Sequence, residues 1–171
     1  MNRTLIAACL GATLSAACGG SGSQPKRGSG EAPTTGTAGP LDACALLTDA
    51  DVAAIVGNAV AKGQHFAGSE VCKWDAEPGN TTVLLTVRPA GSLREQSLCP
   101  ELKKRSEGQR LEGLADVAIW KFSSAAGLFN SGEFETCGSK GYISVGLNGK
   151  QDDATLKQQS ESIVRSVMKK L

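Results

Sequence analysis

Six cysteines, one histidine and two close pairs of acids are the residues of this 171-residue chain best equipped for chemistry. The cysteines stand at positions 9, 18, 44, 72, 99 and 137. Thiols can be acylated, oxidised in pairs or bound to metal, and spacing and compartment decide between these fates. There is no Cys-x-x-Cys pair and the spacings are long, so zinc is the weak reading. The lone His65 sits in Lys62-Gly63-Gln64-His65-Phe66-Ala67-Gly68 and excludes a multi-histidine metal site. As a general base it would need a nucleophile and an orienting acid. No Gly-x-Ser-x-Gly motif supplies the nucleophile, so His65 reads as an exposed loop residue. Glu133 and Glu135 share one strand face, and paired carboxylates can cleave glycosidic bonds. The commoner use of that spacing is a solvated sheet face. Asp152-Asp153 reads as a helix cap, because the regular oxygen spacing of a calcium loop is missing. The glycine-rich stretches lack the Lys-Ser/Thr of a phosphate loop. No catalytic residue, no metal and no cofactor is expected.

Composition narrows the field further. Lys and Arg number 18 against 17 Asp and Glu, a formal charge of +1, and residues 1–40 alone contribute +2. The rest is slightly acidic, which argues against nucleic acid as a partner, since that needs a basic face. Aromatics make up 4%, too few for a base-stacking platform. The run Lys103-Lys104-Arg105 lies between Glu101 and Glu107 and reads as a solvated helix face.

The N-terminus reads as an address. Thr4 to Ala17 is uncharged and apolar, too short for the roughly 20 residues of a membrane-spanning helix and suited to a secretory signal. The stretch Leu14-Ser15-Ala16-Ala17-Cys18 resembles a bacterial lipobox, with Ser15 where Leu is usual. On that reading residues 1–17 are the signal peptide and Cys18 is diacylated. Two alternatives stand beside it: ordinary cleavage before a free Cys18, and a lipobox at Ile6-Ala7-Ala8-Cys9. Gly19 to Pro40 is Gly, Ser, Thr and Pro with almost no apolar side chains, so residues 18–40 form a disordered tether. At roughly 5–6 Å times √n its reach is about 25 Å.

Four cysteines then remain in the domain, 41–171. An even number in an exported chain implies two disulfides, with three possible connectivities. Cys44–Cys72 with Cys99–Cys137 is preferred, because each bond then ties a helical segment to a later strand.

The elements that must position these residues follow from period and caps. Asp42 opens a short turn carrying Cys44, Leu46 and Leu47. Thr48 to Asp51 reads as a capping box before a helix ending at Gly57. Val71–Asp75 and Thr81–Arg88 alternate as strands around a Glu77–Asn80 turn. Ser92 and Glu95 form a capping box for a helix to Arg105, with a kink or restart at Pro100. Strands follow within Leu111–Trp120, at Gly127–Thr136 with a possible break at Asn130–Gly132, and at Tyr142–Leu147. Asp152 or Asp153 caps a final helix whose stripe is Leu156, Ile163, Val164, Val167, Met168 and Leu171. Trp74 and Trp120 read as core; exposed beside Phe129 and Tyr142, either would line a small apolar pocket. The order α-β-β-α-β-β-β-α predicts an α+β fold, a mainly antiparallel sheet with its amphipathic helices on one face.

Pro40-Leu41-Asp42-Ala43-Cys44-Ala45-Leu46-Leu47-Thr48, then Cys72-Lys73-Trp74, then Gly113-Leu114-Ala115-Asp116 resemble a family. It is that of small exported bacterial lipoproteins, a domain of unknown function best known from actinobacteria. The resemblance spans about residues 40–171 and implies an envelope lipoprotein with a Cys44–Cys72 bridge and no established activity. A more distant likeness, to disulfide-stapled sensor domains of bacterial receptor kinases, implies ligand sensing. The expected protein is a non-catalytic binding module held to a membrane by Cys18, with an envelope protein or cell-wall component as partner. Its place is the outer membrane of a two-membrane bacterium, otherwise the outer face of the plasma membrane. An envelope hydrolase of unrecognised type is the alternative.

Overall fold

The computed structural model describes residues 41–77, 81–125 and 128–171. Asp42 accepts the amide hydrogens of Cys44 and Ala45 and starts α1 (Ala43–Leu46). Thr48 and Asp51 form the expected reciprocal box at the head of α2 (Asp49–Val56). The helix stops at Gly57, whose φ of 76° suits a residue without Cβ. Ser92 caps α3 (Leu93–Lys104), but the Glu95 carboxylate reaches back to the Gly91 amide rather than to that of Ser92. Asp152 caps α4 (Asp153–Met168).

Pro100 neither breaks nor restarts α3, which runs on to Lys104. Proline at this position deprives the Gln96 carbonyl of its helical partner. Both residues lie on the exposed side of the helix, where water can satisfy that oxygen.

Seven strands form one antiparallel sheet: β1 (Gln64–His65), β2 (Val71–Ala76), β3 (Thr81–Arg88), β4 (Gln109–Arg110), β5 (Val117–Ala125), β6 (Phe129–Gly138) and β7 (Gly141–Gly149). Their spatial order is β1-β2-β3-β7-β6-β5-β4. β6 pairs without interruption through Asn130–Gly132, and β5 starts only at Val117. The two-residue edge strands β1 and β4 have no periodicity to reveal them. The turn expected at 77–80 lies outside the described residues beyond Glu77.

Alternation on the strands decides what each face buries. Val83, Leu85 and Val87 of β3 meet Ile143, Val145 and Leu147 of β7 on one face. Trp74, Trp120 and Phe134 extend that layer, and Val52, Val56, Leu156, Ile163, Val164 and Val167 of α2 and α4 cover it. Burying each such side chain is worth about 1.5–3 kcal/mol. The α+β class and the antiparallel sheet are as expected. The helices, however, divide between the faces. Cys99 and Leu102 of α3 pack with Val117, Ile119, Cys137 and Tyr142, which alternate to the opposite side. Val117 to Trp120 is apolar at every position, so the strand needs cover on both faces.

Both preferred disulfides are present. Cys44–Cys72 fastens α1 to β2, and Cys99–Cys137 fastens α3 to β6. Two further anchors set α2 and α4 on the sheet. The Trp74 indole N–H donates to Asp49 Oδ1 at 3.0 Å, and that of Trp120 to Asp153 Oδ1 at 2.7 Å. Each carboxylate is the first residue of its helix, where the amide ends also favour negative charge.

Candidate functional site

On the α3 side of the sheet, register brings together groups that are far apart in sequence. Ile119, Glu135 and Ser144 face one another across β5, β6 and β7, and Lys121 faces Glu133. Glu135 is only 4% exposed. Its Oε1 accepts the Tyr142 hydroxyl hydrogen at 2.9 Å. Its Oε2 takes Lys121 Nζ at 3.0 Å and the Arg105 guanidinium from the C-terminal cap of α3. Glu133 is exposed, 3.7 Å from Lys121 Nζ, and accepts a long bond of 3.5 Å from the Ser144 hydroxyl.

This corrects the reading of Glu133 and Glu135 as a jointly solvated face. Glu135 is buried because three donors compensate the loss of water. A glycosidase pair must flank an open substrate position. Here both oxygens of Glu135 are engaged by the protein itself, so the arrangement binds α3 to the sheet.

Tyr142 gives this network a direct readout, being the chain's one tyrosine. Burial pushes its hydroxyl far above the usual value of 10, and the Glu135 carboxylate adds to the shift. A folded pKa raised in this way means stability held below the unfolded value and lost as pH rises toward the folded one. Tyrosinate absorbance is therefore expected to stay silent past pH 10 and to appear only as the chain unfolds. A smooth titration near 10 with near-ultraviolet circular dichroism intact would contradict the burial of this network.

His65 lies in β1 rather than in a loop, and it is exposed as expected. Its Nε2 is 2.8 Å from Asp42 Oδ1. That hydrogen bond is the main reason the Asp42 carboxyl sits below its usual pKa. Asp42, His65 and Cys44 place donor atoms within 4.8 Å of one another. The Cys44 sulfur is bonded to Cys72, so the trio offers no thiolate as nucleophile or metal ligand. No serine hydroxyl bonds to His65 among the described residues.

Trp74 and Trp120 are buried in the core, and Tyr142 lies on the opposite face, so these aromatics do not gather into a pocket. Phe129 is exposed on β6. A shallow groove of about 400 Å³ lies where β4 leaves β5, lined by Glu107, Gln109, Lys121, Phe122 and the Trp120–Asp153 pair. Sequence reasoning missed this groove and the Arg105–Glu135 pair, whose partners are 30 residues apart. Cys18, the expected lipid carrier, lies outside the described residues. Among the described residues no helix is long and apolar enough to cross a membrane.

No family model, no curated protein and no solved structure matches this chain.

Proposed function

We propose that the protein is a lipid-anchored envelope module that binds a partner without catalysing a reaction, as its likeness to small exported lipoproteins implies. The observation that carries this reading is the run from Thr4 to Cys18 followed by the Gly/Ser/Pro tether to Pro40. The disulfides across separations of 28 and 38 residues support an oxidising compartment. The internal engagement of Glu135 and of the Cys44 sulfur supports a binding role over an enzymatic one.

One acyl chain holds a protein to a membrane only marginally, whereas two anchor it stably. Replacing Cys18 with Ser is therefore expected to move nearly all of the protein from the membrane to the soluble fraction. Labelling with a fatty acid and fractionating both forms is the test. Wild type that carries no label and is soluble would make the chain a plain secreted domain.

A further inference from the structure

The two long edges of the sheet are finished differently. On the β2 side, β1, the Val60 bridge to Ala76 and the Ala61 amide cover the strand along most of its length. On the β5 side, β4 pairs only with Ile119 and Trp120, and Leu111 N–H adds a bond to the Ala118 carbonyl. The chain then turns away at Gly108, with φ 92°. β5 continues through Ala125, paired only to β6.

Alternation says which groups this leaves open. The Ala118 carbonyl points outward, so the backbone groups of Trp120, Phe122 and Ser124 do too. Gln109 occupies Trp120. The N–H and C=O of Phe122 and Ser124 have no partner among the described residues. The same hairpin carries Phe122, Leu128 and Phe129, three of the five large hydrophobics exposed among the described residues. Phe122 and Phe129 lie on opposite faces, since Phe122 faces Gly132 and Ala125 faces Phe129.

We propose that this open half of β5 pairs with the same segment of a second copy, antiparallel, about a two-fold axis at Ser123. Paired edges give antiparallel strands in a two-fold dimer. With Trp120 occupied, the register that uses both free residues sets Phe122 against Ser124 of the partner, and the reverse, for four hydrogen bonds. Lys121 then stands opposite Ala125 and Ser123 opposite Ser123, so no like charges meet. Phe122 lies beside a small serine, and Lys121, whose ammonium stays on its own Glu135, meets only the small Ala125 of the second copy. Such an edge is well short of the roughly 1,200 Å² of a stable interface, so the pairing is transient in dilute solution. The pairing does not require the lipid anchor.

The test is a covalent trap in the full chain, in whichever fraction carries it. Ser123 and its copy form a non-hydrogen-bonded pair with Cα atoms about 4.5 Å apart, within disulfide reach. Copies of Lys121 would be four residues out of register, about 13 Å apart at ~3.3 Å per residue, beyond that reach. Under mild oxidation, Ser123→Cys is expected to give at least about tenfold more dimer than Lys121→Cys on a non-reducing gel. Lys121→Cys with Ala125→Cys in one chain should restore the dimer, because these positions face each other across the axis. Adding Ser124→Pro to Ser123→Cys should abolish it, since only an outward N–H is removed and the bonds to β6 remain. Equal yields at all positions, or no dimer from either Ser123→Cys or the Lys121/Ala125 pair, would overturn the proposal. So would an adduct of a different mass, which would assign the edge to another protein's strand.

Discussion

Removing the Cys99–Cys137 bridge by Cys99→Ala with Cys137→Ala is expected to cost about 4 kcal/mol. The chain-entropy relation gives that value for a separation of 38 residues. A typical domain holds only ~5–15 kcal/mol in all. The bond matters more than its twin because α3 has little else to hold it. Its buried residues are Cys99 and Leu102, with only Leu98 half-buried beside them, and the rest of the helix is polar or exposed. When α3 lifts, Arg105 leaves Glu135 and Tyr142 meets water. The variant should therefore show a lower urea midpoint, faster amide exchange in α3 and a Tyr142 titration moved down toward 10. A midpoint within error of wild type, with α3 amides still protected, would mean that packing alone holds the helix.

A comparable loss is expected from one methyl group at Gly141. This glycine opens β7 with φ 101°, where an L side chain is strained. An added Cβ would also run into the Arg88 carbonyl and the backbone at Pro89 and Ala90. The obstacle is backbone at the end of the central strand pair and cannot swing aside. Conformational strain of roughly 1–2 kcal/mol and overpacking of about 1–3 kcal/mol together put Gly141→Ala near 3–4 kcal/mol. Gly57→Ala separates the two causes. Gly57 has φ 76° but open space around it, so its alanine variant should lose only the strain, about 1 kcal/mol. Thermal melts of both variants decide. Equal losses would mean that the backbone near Arg88 yields freely.

Where local rules suffice, sequence and structure coincide. β3 spans Thr81–Arg88 because its alternation is unbroken and Pro89 ends it. Asp152 and the stripe at Leu156, Ile163, Val164 and Val167 define α4. Both disulfide pairings could be read from the alternation of helix and strand. What was not legible depends on pairing at a distance. Glu135 has the sequence context of a solvated strand residue. Its burial follows from Lys121 one strand away and Arg105 on a helix crossing above. No local pattern says on which side of the sheet α3 lies. The run Val117 to Trp120 shows only that both faces of β5 need cover, not which helix supplies it, because four consecutive apolar residues in a strand are buried on both sides. Ser160 shows the converse: a polar residue within the α4 stripe that is nonetheless fully buried.

The place of β7 between β3 and β6 has a consequence for how the protein is made. Its register with β3 joins Thr82 to Asn148 and Val87 to Ile143, so the middle of the sheet is closed by the strand that follows all the others in the chain. Such non-local pairing folds slowly, because loop closure costs entropy before any contact repays it. A chain that ends before Gly141 can form the β2–β3 and β5–β6 ladders but lacks the strand that lies between them. Until β7 is made, the core face shared by β3 and β6 is split, and the layer that α2 and α4 cover cannot close.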